Sequence, residues 1–184
     1  RVYGFLSEEY QEYIGYPLVN IPAPNPDGTP NHEGGNYANH FLQPFLEALK
    51  EIGEIAAANN REVYVVGGVV RDLFLDRKLK EIDVMVVGDG IEFANLIAKK
   101  MGIKKVISFP RFSTAHIPSK PIPIEVAAAR EESYESDSRK PSKVVYTDLK
   151  GDLLRRDFTV NAMAMSLAPQ DFGELHDPHN GVLI

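Results

Sequence analysis

Three acidic residues interrupt stretches that otherwise read as apolar strands. The segment "EIDVMVV" holds Glu81 and Asp83 at alternate positions, and "IPIEVAAA" holds Glu125. Alternate side chains of a strand point to one face, and carboxylates within an apolar strand are costly unless they are paired or bind a metal ion. If the two strands are neighbours, the three acids converge and could hold two Mg²⁺ ions for phosphoryl transfer. The alternative is a pair of partly exposed strands whose acids face solvent.

A glycine pair lies just before the first acidic segment, in "VYVVGGVVRDLF". Gly67 and Gly68 would let the backbone approach a ligand, and the helix that follows would offer N–H groups to anionic oxygens. A tight turn is the commoner cause of such a pair. Arg71 could hold a phosphate, or it could form a structural ion pair with Asp72.

A second basic segment, "LLRRDFTVNAMA", carries Arg155 and Arg156 before a predicted helix. Arginine forks and helix amides both favour a phosphate at such a place. Asp157 is predicted to cap this helix and could meet a ribose hydroxyl, while Asn161 lies one helical turn further on a similar face. The alternative is an ordinary capped amphipathic helix with surface arginines.

The elements that must position these residues alternate between helical and extended patterns. Apolar residues at helical spacing predict a helix over residues 41–60, and β-branched runs predict the strands. The order is helix, strand, helix, strand, helix, further strands and a last helix, which predicts an α+β fold with a small mixed sheet flanked by helices. The polar stretch at residues 131–143 is expected to be a mobile loop. Residues 1–38, rich in Pro, Gly and Asn, are predicted to be an irregular N-terminal extension to a domain at residues 39–184.

Composition narrows the functional classes. The chain has 184 residues, 43% of them hydrophobic, no cysteine and a net charge of −6. Disulfides and thiolate metal sites are therefore excluded, and a basic footprint over the whole surface is absent. We expect no membrane span, no secretory signal and a cytoplasmic location. The scattered histidines form no metal-ligand pattern, and neither a serine nucleophile motif nor a P-loop is present.

The motifs taken together resemble one family. "VYVVGGVVRDLFLDRKLKEIDVMVV", "RFSTAHI", "IEVAAAREESY" and "DLLRRDFTVNAMAMSL" follow one another in an order similar to that of the class II tRNA nucleotidyltransferases, the CCA-adding enzymes and bacterial poly(A) polymerases. "GELHDPHNGV" resembles the segment that closes their N-terminal head domain. The resemblance covers residues from about 41 to 184.

This resemblance implies a nucleotidyltransferase head with a palm-like sheet. It implies template-independent addition of C, A or both, from CTP and ATP, to a tRNA 3′ end by a two-metal reaction with Mg²⁺. Carried over by motif, the catalytic and metal-binding residues would be Glu81, Asp83 and Glu125. The nucleotide-binding residues would be Gly67, Gly68, Arg71, Asp72, Arg130, Arg155, Arg156, Asp157 and Asn161.

The sequence departs from the family pattern in two respects. Glu81 stands where the family has aspartate, and Mg²⁺ tolerates a misplaced ligand poorly; this departure keeps open a non-catalytic nucleotide- or RNA-binding domain. The family's neck, body and tail, including the residues that select the base, are expected beyond Ile184. A poly(A) polymerase and an enzyme that adds only A or only CC therefore remain alternatives, and the oligomeric state is left open.

Overall fold

The computed structural model describes residues 37–75, 77, 79–132 and 144–181. Two long helices and two short ones surround a mixed sheet, as the sequence predicts. The helices are α1 (Tyr37–Ala58), α2 (Gly68–Phe74), α3 (Gly90–Lys100) and α4 (Leu149–Leu154). The strands are β1 (Val63–Val66), β2 (Ile82–Val86), β3 (Ile107–Phe109), β4 (Thr114–Ile117), β5 (Ile124–Ala128), β6 (Arg130–Glu132), β7 (Val144–Tyr146), β8 (Ala164–Ser166) and β9 (Leu175–His176).

Seven strands form the main sheet in the order β3-β4-β5-β2-β1-β8-β9, while β6 and β7 form a separate two-stranded ribbon. The β2–β5 pair is parallel, and every other pair in the main sheet is antiparallel. The parallel pair follows from the long connection through α3, β3 and β4, because parallel neighbours need a crossover. This pair places the two acidic segments side by side at the centre of the sheet.

The two faces of the sheet differ in what covers them. One face carries the main hydrophobic core, where strand residues such as Val84 and Val126 pack with Phe45 of α1 and Phe93 of α3. Because strand side chains alternate, the acids at positions 83 and 125 lie on the opposite face. Among the described residues, that face carries a smaller apolar cluster, which includes Leu153 of α4, and part of it is left open for a ligand.

The predicted helix after residue 155 is wrong. A short 3₁₀ turn, Thr159–Asn161, is followed by strand β8, which pairs with β1 on one side and β9 on the other. Asp157 is therefore not a helix cap, and Asp148 caps α4 instead by accepting a hydrogen bond from the Gly151 N–H at 2.8 Å. The run "AMAMSL" is buried throughout, and a strand buried on both faces shows no alternation that would distinguish it from a buried helix.

The predicted loop at residues 131–143 falls mainly on positions outside the described residues. Its first two residues belong to β6, which pairs with β7. The predicted extension at residues 1–38 likewise lies almost wholly outside the described residues. None of the helices that the structure describes is both long enough and apolar enough to cross a bilayer.

Candidate nucleotidyl-transfer site

Asp83 and Glu125 are direct neighbours across the parallel pair of strands. The register of β2 and β5 sets Asp83 opposite Glu125, so that both side chains leave the sheet on the same face. Glu81 lies two residues before Asp83, at the entry to β2, and is exposed. The sheet register therefore brings Asp83 and Glu125 together, and Glu81 is close enough for its charge to act on Asp83.

These carboxylates line a cleft of about 430 Å³. Most of the predicted site residues share it, and three apolar residues complete its wall. The lining residues are Val66, Gly67, Gly68, Glu81, Asp83, Val84, Glu125, Ala127, Arg156, Asp157 and Asn161. Four predicted residues do not line the cleft: Arg71, Asp72, Arg130 and Arg155. Another cavity, about 890 Å³, lies between α1 and α3, away from the carboxylates.

The electrostatics of the cleft centre on Asp83. The pKa of its carboxyl is raised from 3.8 to about 6, chiefly by burial and also by the neighbouring charges of Glu81 and Glu125. Arg156 acts against this shift by lowering the pKa. Like charges held in a partly buried site repel one another, so a cation entering the cleft would relieve that repulsion.

The raised pKa of Asp83 predicts a measurable stability change. Because the folded protein holds this proton more tightly than the unfolded chain, stability is lost as the pH rises from about 4 through about 6. Without divalent cations, Asp83→Asn should therefore raise the free energy of unfolding at pH 7.5 by up to about 3 kcal/mol. The gain should shrink towards zero at pH 4, as measured by urea unfolding. Glu54→Gln, an exposed substitution on α1, should show no such trend, and an equal gain from Asp83→Asn at both pH values would contradict the prediction.

The carboxylates offer the oxygen ligands that Mg²⁺ prefers and lie in one cleft, but they do not form a complete set of ligands for the ion. Within the part of the chain that the structure describes, no three histidine, aspartate or glutamate side chains form a group that could hold a metal ion. Mg²⁺ does not require such a group, since it is usually held by one or two carboxylates together with substrate phosphates and water. Asp83 and Glu125 could supply the protein's share of such a shell.

Gly67 forms a tight corner at one end of the cleft. Its backbone has φ 68° and ψ −129°, a conformation that side chains disfavour. A Cβ atom at this position would lie 2.9 Å from Nη1 of Arg156. The N–H of Gly67 donates to the carbonyl of Met163 at 3.0 Å, so this amide is already engaged within the fold. The glycine is therefore needed both for the turn and for the close approach of the arginine.

Arg71 does not line the cleft itself but donates a hydrogen bond to a residue that does. Its Nε donates to Asp72 Oδ1 at 2.9 Å, which is the structural ion pair considered from the sequence. Its Nη1 donates to Asn161 Oδ1 at 2.7 Å. Arg71 thus links α2 to the 3₁₀ turn and orients Asn161, which does line the cleft.

Arg155 and Arg156 share a partner that the sequence reasoning missed. Both guanidinium groups donate to Asp152, whose side chain is only 1% exposed. The signal was present in the sequence, because an acid followed by arginines at i+3 and i+4 is a common ion-pair spacing on a helix. Arg130 also meets this carboxylate, through its backbone N–H at 3.4 Å.

The side chain of Arg130 turns away from the cleft. Its Nη1 donates to the carbonyl of Phe112 at 3.1 Å, and its guanidinium carbon lies 5.7 Å from the centre of the Phe112 ring. Arg111 contacts the same ring at the same distance. The described structure therefore places the Arg130 side chain against Phe112 and not in the wall of the cleft.

Comparison with known proteins identifies the family. The profile described as the poly A polymerase head domain matches residues 63–183. This chain belongs to that family. The head-domain profile spans every strand of the main sheet and all three carboxylates.

Individual relatives agree with the head-domain assignment. An A-adding tRNA nucleotidyltransferase of Aquifex aeolicus is 44% identical over 119 residues, which are 65% of this chain and 14% of that protein. A CCA-adding enzyme of Anoxybacillus flavithermus is 33% identical over 141 residues, 76% of this chain and 33% of that protein. A solved structure of a tRNA nucleotidyltransferase with a primer tRNA and an incoming ATP analogue matches with a TM-score of 0.61 and 40% identity, over 72% of this chain and 35% of that one. The chain thus spans between about a seventh and a third of the length of these proteins.

Proposed function

We propose that this head domain transfers nucleotides to the 3′ end of tRNA, adding C, A or both from CTP and ATP with release of pyrophosphate. The observation that carries the proposal is the pairing of Asp83 with Glu125 inside a cleft that also holds Gly67 and Arg156. The acidic groups of this cavity suit a metal ion, and its cationic group suits a phosphate. Together they suit a metal-bound triphosphate better than a metal ion alone or a triphosphate alone.

Each residue of the cleft has a part in the proposed reaction. Asp83 and Glu125, with Glu81 beside them, would hold Mg²⁺, which when bound would acidify the primer 3′-hydroxyl and neutralise charge on the phosphoryl oxygens in a two-metal arrangement. Arg156 would meet the phosphates with its guanidinium fork. Asp157 would accept hydrogen bonds from the sugar hydroxyls, and Asn161 would donate to them or accept from them. The corner at Gly67 and Gly68 would let the triphosphate approach the backbone.

The four predicted residues outside the cleft take supporting parts in this proposal. Arg71, itself paired with Asp72, would hold Asn161 in place through the bond described above. Arg155 would act beside Arg156 through their shared carboxylate. Arg130 would act through its backbone contact with that carboxylate rather than through its side chain.

The domain extent and location belong to the same proposal. We propose that residues 39–184 form the head and that residues 1–38 are an extension to it. We also propose a cytoplasmic location, because tRNA and the two nucleotides are cytoplasmic molecules.

A narrower activity, addition of A alone, is the second candidate. It is favoured by the name of the Aquifex aeolicus relative, which shares 44% of its residues with this chain over the aligned region and is called A-adding. Addition of the whole CCA end is the alternative. It is favoured by the name of the Anoxybacillus flavithermus relative, which is called a CCA-adding enzyme.

An incorporation assay separates these activities. The natural protein would be incubated with Mg²⁺, labelled CTP or ATP, and tRNA transcripts that lack either the last A or the whole 3′ CCA. Incorporation of both nucleotides indicates CCA addition, and incorporation of A only onto tRNA ending in CC indicates the A-adding activity. Long A tails on unrelated RNA would indicate a poly(A) polymerase. Nucleotide binding without any incorporation would contradict the proposal and indicate a non-catalytic binding domain.

The longer acid at position 81 yields a separate prediction. If Glu81 holds its metal less well than the family's aspartate would, Glu81→Asp should raise kcat by a few-fold, up to about tenfold, because Mg²⁺ demands near-ideal geometry. Steady-state rates at saturating ATP and tRNA would measure the gain. Glu62→Asp, an exposed change just before β1, serves as the control, and an unchanged rate for Glu81→Asp would show that the sheet already accommodates glutamate.

A further inference from the structure

Asp152 is a buried carboxylate that binds two arginines at once. Oδ1 accepts from Nε and Nη2 of Arg155 at 3.2 and 2.8 Å. Oδ2 accepts from Nε and Nη2 of Arg156 at 3.1 and 2.8 Å. Each oxygen thus holds one guanidinium group by the same edge. Since a buried charge is tolerated only when it is fully paired, this arrangement fixes both arginines relative to α4.

The edge of Arg156 that Asp152 leaves uncovered faces the glycine corner. Nη1 of Arg156 donates to the carbonyl of Asn161 at 3.3 Å, and it lies against Gly67, where a Cβ atom would meet it at 2.9 Å. Arg156 also lines the cleft and retains 22% of its side-chain exposure. One guanidinium edge is therefore anchored by Asp152, while Nη1 lies beside Gly67 and the Asn161 carbonyl and the side chain lines the cleft.

The charges of this cluster favour an anion. One carboxylate pairs with two guanidinium groups, so the three side chains together carry a formal charge of +1. Without Asp152, the two adjacent arginines would lose the carboxylate that each of them binds, and their like charges would repel each other. A free arginine side chain loses rotamer entropy when it binds a ligand, and anchoring it beforehand removes part of that cost.

We propose that Asp152 is a positioning residue that fixes Arg156 at the glycine corner so that it meets the phosphates of the nucleotide already oriented. The inference rests on the proposed function, because it assigns the triphosphate as the ligand of Arg156. The competing explanation is that Asp152 only stabilises the junction between α4 and β6, to which its contact with the Arg130 N–H at 3.4 Å also belongs.

A double-mutant cycle distinguishes the two explanations. The affinity of the chain for ATP with Mg²⁺ would be measured by calorimetry for the wild type, Asp152→Asn, Arg156→Ala and the double variant. Asparagine keeps the volume of aspartate but turns an amide donor towards one guanidinium group. We expect Asp152→Asn to weaken ATP binding about tenfold, and we expect the double variant to bind no more weakly than Arg156→Ala alone, because residues that act as one unit are not additive.

Three further measurements separate positioning from stability. Asp148→Ala, at the N-cap of the same short helix, removes the acceptor of the Gly151 N–H and should lower the midpoint of thermal unfolding without changing ATP affinity. Asp152→Glu retains the charge on a longer side chain and should recover part of the affinity that Asp152→Asn loses. All affinities would be measured at a temperature where circular dichroism shows that every variant is folded. Adenosine, which has no phosphates, should bind all variants equally.

The outcomes also separate this inference from the proposed function. The positioning role would be overturned if Asp152→Asn bound ATP as tightly as the wild type, or if the losses of affinity in the double variant multiplied. In either case, ATP binding by the wild type would leave the proposed function standing. A failure of Asp152→Glu to recover any affinity would likewise count against the positioning role. No ATP binding by the folded wild type would overturn both.

Discussion

Asp83→Ala should abolish nucleotide incorporation almost completely. Asp83 has a pKa that is raised by burial and by the charges of Glu81 and Glu125, and it faces Glu125 across the strand pair. Charge stabilisation by bound metal contributes several kcal/mol to such a reaction, and a loss of about 4 kcal/mol corresponds to a decrease of about a thousandfold in kcat. The rate of ATP or CTP incorporation into tRNA by the natural protein measures this directly.

Asp89→Ala provides the matched control for that experiment. Asp89 caps α3 by accepting hydrogen bonds from the N–H groups of Ile91 and Glu92, and it does not line the cleft. Its loss should cost about 1 kcal/mol of stability and leave kcat within about twofold of the wild type, by the additivity of distant sites. Incorporation that survives Asp83→Ala unchanged would contradict the assignment of the catalytic site.

Gly67→Ala should damage both the fold and nucleotide binding. The φ of 68° and ψ of −129° at this position would cost a side chain about 1–3 kcal/mol of backbone strain. The new Cβ atom would also meet Nη1 of Arg156 at 2.9 Å and push the guanidinium group out of the corner. We expect the affinity for ATP with Mg²⁺ to fall by about thirtyfold, since a charge-assisted contact contributes about 1.5–3 kcal/mol.

Gly102→Ala separates strain from displacement. Gly102 has a similar φ of 69°, but a Cβ atom there would meet nothing within 4 Å. Its substitution should lower stability by about 1–2 kcal/mol with ATP affinity unchanged, as measured by thermal unfolding and calorimetry. Equal losses of affinity in both variants would show that the effect of Gly67→Ala is a general loss of stability and not the displacement of Arg156.

The sequence predicted most of the sheet because its strands have distinctive ends and composition. The strand at 63–66 is β-branched and closed by glycines, and the acids at 81, 83 and 125 mark β2 and β5. The α+β class with a mixed sheet is confirmed. The stretch "LLRRDFTVNAMAMSLA" was predicted to enter a helix with Asp157 as its cap, and its alanines and methionines are compatible with a helix. Pairing with β1 and β9 on both edges overrides that preference, and such pairing is a property of the tertiary structure.

The convergence of the carboxylates could be anticipated but not established from the sequence. Alternation within β2 follows from residue spacing, whereas the pairing of Asp83 with Glu125 depends on strand register. A shift of one residue would turn Glu125 to the other face. The arginine cluster differs, because the spacing of Asp152 from Arg155 and Arg156 was readable from the sequence and shows that the two arginines have a protein partner. That Asp152 is buried could only come from the packing of α4 against the sheet.

The most direct test of the proposed catalytic site is to locate a metal ion in the cleft. A crystal of the chain grown with Mn²⁺ and CTP would be measured at the manganese absorption edge. We expect an anomalous peak between Asp83 and the triphosphate, with Glu125 beside it and the phosphates near Arg156. A bound CTP whose phosphates lie away from Asp83, or a manganese ion found only outside this cleft, would contradict the proposed site.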